Sequence, residues 1–212
     1  MTAGRRVPHA TAVVLILIAP ALPAQSPFCF RGRPLPKCGA FAIFEVTGAK
    51  RLVGTTHLAG FPPSQYSTED LGNYLSWTLG AMSNRDTAHA VGGTLDFGYQ
   101  EGWRVAVKAR RRTWYPEQGS VDLSAGAIVI EERTIDPGHT PAYGITTEAA
   151  LGSGDVAALT LGADVTWASS DTHPRAAIHG GLHLGSYAAL GATALMIVSV
   201  ATIALGLSHN DF

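Results

Sequence analysis

The chain has 212 residues, 46% of them hydrophobic and 15% charged, with 24 glycines and two cysteines. That length fits one domain, and a formal net charge of −1 leaves no basic footprint for a nucleic-acid partner.

The N-terminus carries Arg5 and Arg6, a short apolar run over 12–18, and small residues at Ala21 and Ala24 before Gln25. This is the pattern of a secretory signal peptide over 1–24, with an apolar core too short to span a bilayer as a helix. Segment 25–39 follows with both cysteines. Export exposes them to oxidising conditions, so a Cys29–Cys38 disulfide is expected. The loop between them contains Pro34 and Pro36 and would stiffen the mature N-terminus rather than staple a whole fold.

From residue 40 the chain reads as strand after strand: 40–47, 74–83, 88–99, 102–114, 120–132, 142–151, 155–168 and 175–187. Several alternate strictly, as a strand with one apolar face must. Leu75, Trp77, Leu79 and Ala81 oppose Ser76, Thr78 and Gly80, and Trp103, Val105, Val107 and Ala109 oppose Arg104, Ala106, Lys108, Arg110 and Arg112. Leu159, Leu161, Ala163, Val165 and Trp167 oppose Thr160, Gly162, Asp164 and Thr166. Eight such strands predict an all-β sandwich or barrel. The Gln100-Glu101-Gly102 loop suits a tight hairpin with a left-handed glycine and sets Tyr99 opposite Trp103, Phe97 opposite Val105 and Leu95 opposite Val107. Gly152-Ser153-Gly154 predicts a second hairpin that sets Ile145 opposite Leu161 and Thr147 opposite Leu159.

A soluble barrel with the apolar face inward explains the alternation equally well. Three features favour the inverse. Tyr74, Tyr99, Trp103, Trp114, Tyr115, Tyr143, Trp167 and Tyr187 sit at strand ends, as interfacial girdles do. The polar faces are rich in Gly, Ala, Ser and Thr with few charges, which suits a narrow lumen. The strands run to ten or twelve residues, a tilted bilayer crossing. On this pattern the segment 40–187 resembles the small eight-stranded outer-membrane barrels of Gram-negative bacteria. The resemblance implies antiparallel up-and-down strands, a lipid bilayer as the main partner, an N-terminus on the periplasmic side and a lumen plugged by side chains. It also implies long external loops and short periplasmic turns. The longer connections 48–73, 133–141 and 169–174 agree with this, and 100–102 is a short exception.

In that arrangement Arg104, Lys108, Arg110 and Arg112 line the lumen. Asp96, Asp122, Glu132, Glu148 and Asp164 are their expected partners, because unpaired buried charge is expensive. Residues 188–207 carry no charge and do not alternate, so they read as an apolar membrane helix or, being rich in Ala and Gly, as a helix packed against the barrel or in its mouth, with a polar tail over 208–212. Phe212 ends the chain as in many outer-membrane barrels, but after an all-apolar run rather than an amphipathic strand. The helix supports a second reading, a periplasmic β-domain that binds a partner and is anchored to the inner membrane. No Lys or Arg follows it to act as a cytoplasmic anchor.

Signals for chemistry are thin. His179 and His183 on one strand face lie about 13 Å apart, too far to share a metal. Packing or lumen hydrogen bonding is the expectation for them. His57, His89, His139 and His173 are scattered. There is no GxSxG, HExxH, phosphate loop or cofactor fingerprint. Ser186 and His183, the one hint of a lipid-modifying enzyme, fall on opposite strand faces. The expectation is a barrel without catalytic, cofactor-binding or metal residues, with a structural or surface-interaction role in the outer membrane.

Overall fold

The computed structural model describes residues 27–55, 73–99, 102–115, 119–132, 141–153, 155–168 and 174–208, with helix side chains described as far as Thr202. The signal peptide, His57, His139, His173, the Gln100-Glu101 pair, Gly154 and the 209–212 part of the tail lie outside the described residues.

Nine strands and one helix follow in chain order: β1 (Phe28–Cys29), β2 (Ala40–Thr55), β3 (Asn73–Asn84), β4 (His89–Tyr99), β5 (Trp103–Trp114), β6 (Gly119–Glu131), β7 (Ala142–Ser153), β8 (Ala157–Ala168), β9 (Arg175–Gly185) and α1 (Ser186–Ser208). Each of β2 to β9 pairs antiparallel with the next, and β2 pairs with β9. The result is a closed eight-stranded up-and-down barrel. Closure leaves no free sheet edge, which is what a sheet in lipid requires.

The barrel is staggered. The β9 ladder reaches Gly185 opposite Glu45 and stops. Below that point the edge of β2 is taken by β1, with Phe28 and Cys29 paired to Ala40 and Phe41. The Cys29–Cys38 disulfide, with an S–S distance of 2.05 Å, ties this strand to the base of β2.

Side chains alternate as the sequence predicts, with the polar set inside. Glu45, Thr78, Asp96, Lys108, Arg110, Asp122, Thr146 and Asp164 are buried, while Leu79, Val107, Leu123, Ile145, Leu159, Leu161 and Leu182 are exposed. A soluble barrel would show the reverse. At the short-turn end the lumen closes on an apolar cluster of Phe41, Ile43, Met82, Ala90 and Trp114. Inward glycines let so narrow a barrel coil. A Cβ on Gly126 would collide with the Val107 carbonyl and crowd the backbone of Lys108, so the strand pair can approach only without one.

The β4–β5 hairpin has the predicted register, with Tyr99 opposite Trp103 and Leu95 opposite Val107. The β7–β8 hairpin does not. Ile145 faces Val165 and Thr147 faces Ala163, a slip of four residues from the expected pairing. An even slip keeps every side chain on its face, so matching apolar to apolar could not detect it. The reason lies in Asp155, which folds back from the turn into the barrel instead of opening the strand.

Two expected girdle residues are corrected. Trp114 points inward and donates from Nε1 to Asn84 Oδ1 at 3.0 Å. Tyr74 also points inward, its ring 5.7 Å from that of His179. Tyr99, Trp103 and Tyr143 remain outward and exposed. Trp167, paired with Tyr143, completes this group at the loop end, and Tyr115 and Tyr187 are exposed at the other.

At Ser186 (φ 49°) the chain leaves the sheet and enters α1. The helix packs against β2 and β9. Val46, an outward position, is buried there, as is Ala189 of the helix. Farther along, Leu195, Ile197, Val198 and Val200 are exposed. The expectation of a membrane-spanning helix over 188–207 is corrected: among the described residues no helix is long and apolar enough to cross a membrane, and α1 instead packs at its start on β2 and β9.

Candidate functional site in the barrel lumen

Strand β5 supplies the cations. Its inward positions 104, 108, 110 and 112 place four positive groups in a column, and β2, β4, β6, β7 and β8 supply carboxylates to it, several of them across the lumen. Nearest the loop end, Arg104 grips Asp164 of β8 through Nη1 at 2.5 Å and Nη2 at 2.9 Å. His179 of β9 meets the same carboxylate through Nε2 at 3.0 Å, and the Arg104 guanidinium lies 5.6 Å from the centre of the Tyr74 ring. One level down, Lys108 donates to Glu148 of β7 at 2.8 Å and pairs with Asp96 of β4.

The centre of the column is Glu45 of β2. Arg110 Nη1 reaches both of its oxygens, at 2.8 and 2.6 Å. Arg112 lies 3.7 Å from it, and His183 Nε2 lies 3.0 Å from Oε1. The other His183 ring nitrogen meets the Thr47 hydroxyl at 3.2 Å. Arg110 also donates from Nε to Ser124 Oγ at 3.1 Å.

At the bottom, Arg112 forms a two-pronged pair with Asp122 of β6, at 2.6 and 2.7 Å. Its Nη1 turns to Asp155 at 2.8 Å. The same guanidinium stacks over Trp114 at 5.0 Å and Phe41 at 5.5 Å. Asp155 further accepts from the Gly32 amide at 3.0 Å and from the Ser186 hydroxyl. It therefore joins the network, the disulfide loop and the start of α1. Planar guanidinium forks on carboxylates are the strongest of such pairs and the most geometrically defined.

Of the residues named from sequence, Arg104, Lys108, Arg110, Arg112, Asp96, Asp122, Glu148 and Asp164 come together in this column. Glu132 does not. Val105 pairs with Ile130 and Ala106 with Ile128, so a β-bulge at Val129 opposes two residues to one. The bulge reverses the parity of β6 beyond it. Glu131, not Glu132, then faces Arg104, and Glu132 is exposed.

Glu45 and Asp155 were not singled out as partners by sequence. Glu45 carries a signal, as a lone charge in the run Phe41-Ala-Ile-Phe-Glu-Val-Thr47, on the same face as Phe41 and Ile43. Asp155 carries none, because its inward turn depends on the register of β8.

Among the described residues, Glu45, Asp96, Asp122, Glu148, Asp155 and Asp164 are the carboxylates bonded to the β5 cations Arg104, Lys108, Arg110 and Arg112. His179 and His183, each seated on a carboxylate, are the further donors. Unlike the other pairings, Thr47, His183 and Glu45 follow the order hydroxyl, imidazole, carboxylate. Yet Glu45 is clamped by two guanidiniums, and the cavity beside it has a volume of about 10 Å³, room for about one water. The Ser186 hydroxyl donates its hydrogen bond to Asp155 rather than to His183. Among the described residues, no group of three or more His, Cys, Asp and Glu could hold a metal ion. His89 lies outside the lumen, at the start of β4, 3.1 Å from Asp86 of the β3–β4 turn.

No family model matches this chain, and no curated protein matches it. Among solved structures, it is similar to one from the de novo design of transmembrane β-barrels. That chain shares 11% identity with a TM-score of 0.35, over 73% of this chain and 98% of the other.

Proposed function

We propose that this protein is an outer-membrane β-barrel with a structural or surface-interaction role rather than an enzyme. The observation that carries the reading is the inverted polarity: an apolar outer wall around a lumen filled by buried ion pairs. Strands of about twelve residues, tilted as membrane strands are, give a wall about 30 Å high, the thickness of a hydrocarbon core. Outward Tyr99, Trp103, Tyr143 and Trp167 mark one interface. The lumen column then serves as a rigid internal strut, and the connections 56–72 and 133–140 are the segments left to meet an external partner.

The test is heat-modifiable migration of the full chain from isolated outer membranes, compared with boiled sample. A folded form that migrates apart from the boiled one, recovered in the outer-membrane fraction, is the expected result. Recovery in the inner membrane with no shift would overturn the proposal. The lipid-modifying alternative has its own readout, altered lipid A in expressing cells, and none is expected.

A further inference from the structure

Among the described residues, the apolar outer wall of the barrel is interrupted toward its short-turn end. Arg111 of β5 points outward and is exposed, between Val91 and Leu123 on the neighbouring strands. Among the described residues, Arg111 and Lys50 are exposed charges on the outer face within the strands, and Arg111 is the one toward the short-turn end. It sits three residues inside the end of β5, about 10 Å along the strand. From there an arginine stem can lie along apolar neighbours while its head reaches the interface. A charge at such depth is a functional signal by default.

The short-turn end around it has a consistent chemistry. Arg33 and Lys37 of the disulfide loop and Arg85 of the β3–β4 turn are exposed and make no ion pair among the described residues. The exposed acid described at this end, Asp86, is engaged by His89. Interleaved with the cations are exposed Phe28, Phe30, Tyr115 and Tyr187, with the Phe30 and Tyr187 rings 5.1 Å apart. Basic heads among amphipathic rings at one rim of an apolar wall are complementary to a layer of phosphate-bearing headgroups over acyl chains.

We propose that the short-turn end is a docking surface for anionic phospholipid headgroups of the leaflet it enters. Arg85 and Arg111 hold the phosphodiester, and Arg33 and Lys37 hold the disulfide loop against the same layer. The aromatic rings fix the depth at which this happens. The selectivity is for net-negative phospholipid over zwitterionic phospholipid, since the apolar contacts are common to both.

The inference rests on the bilayer-embedded reading above, and one experiment separates the two. The full chain is folded in mixed micelles containing phosphatidylglycerol and phosphatidylcholine, and the lipids retained are read by native mass spectrometry. The expected result is preferential retention of phosphatidylglycerol, weakened by about five-fold for each cation removed in Arg85→Gln, Arg111→Gln and the Arg33→Gln/Lys37→Gln pair. Lys50→Gln, at the opposite rim, should leave it unchanged. Equal retention of the two lipids by the wild type would overturn the docking surface, as would undiminished preference in the variants. Displacement of the lipid by inorganic phosphate at equal concentration would also overturn it, in favour of a small-anion site. Heat-modifiable migration of the same samples reports on the barrel itself. Its loss defeats the membrane reading, while a retained shift without lipid preference defeats the docking surface alone.

Discussion

Glu45 shows how much one side chain can hold in place. From β2 it binds Arg110, His183 and Arg112, so neutralising it leaves two guanidiniums short of an acceptor in a buried site. Removing one member of a buried ion pair typically costs about 3–5 kcal/mol, because the abandoned charge stays buried. Glu45→Gln is expected to lose stability in that range by urea unfolding in vesicles. The Glu45→Gln/Arg110→Gln double variant should recover part of it, giving a coupling of about 1–3 kcal/mol. Additive losses would show that Arg110 finds its stabilisation in Asp122 and Ser124 instead. A second residue, Asp86, works in the opposite setting, exposed in the β3–β4 turn. The Ala88 and His89 amides donate to it at 2.7 Å, and these bonds hold its carboxyl below its ordinary value. A depressed carboxyl contributes stability above the pKa of the unfolded chain and loses it as pH falls through the folded value. Asp86→Ala should therefore lower the thermal midpoint at pH 7 and match the wild type near pH 2.

At the scale of elements, the disulfide loop behaves as a plug rather than a staple. It closes nine residues of sequence and packs Gly32 against Phe41 and the Arg112 guanidinium so closely that a Cβ there would clash. Asn84 Nδ2 donates to the carbonyls of Arg33 and Cys38 at 2.7 and 2.8 Å, sealing it on the barrel floor. Loop-closure entropy for so short a ring is about 2.5–3 kcal/mol, and it acts on this segment alone. Cys29→Ser/Cys38→Ser should leave heat-modifiable migration intact while hydrogen exchange of the Gly32 amide quickens. Loss of the barrel itself would mean that β1 nucleates closure. The same elements mark what the sequence could tell. Alternation and turn glycines located eight strands and their faces, because each is written within a dozen consecutive residues. Glu132 was misread because the bulge at Val129 shifts parity without any glycine or proline to announce it. Tyr74 and Trp114 were misread because aromatic residues at strand ends suit an outer girdle or an inner floor equally. Asp155 was hidden by a four-residue slip that conserves both faces.

For the whole molecule, the question is whether an eight-stranded wall encloses a path. Barrels of this size leave an interior just wide enough for side chains, and this one fills its interior twice over. A column of crosslinked ions runs from Arg104 to Arg112, and beneath it lie Phe41, Met82 and Trp114 under the disulfide loop. The ions cannot be parted cheaply, since each guanidinium fork would have to leave its carboxylate within a low-dielectric lumen. The purified barrel in a planar bilayer is therefore expected to show no resolved ion conductance over ordinary voltages. The sharper comparison is Arg104→Ala/Arg112→Ala together with the serine pair at Cys29 and Cys38. That variant removes the top clasp, the bottom clasp and the restraint on the plug, and leaves Asp122, Asp155 and Asp164 without their main cations. If the column is what closes the molecule, stepwise conductance with cation preference should appear in the variant and not in the wild type. Steps of equal size in both would mean that the lumen opens without breaking the network. Silence from a variant that still shows heat-modifiable migration would mean that the apolar floor of Phe41, Ile43 and Met82 closes the barrel by itself, with the ions serving rigidity alone.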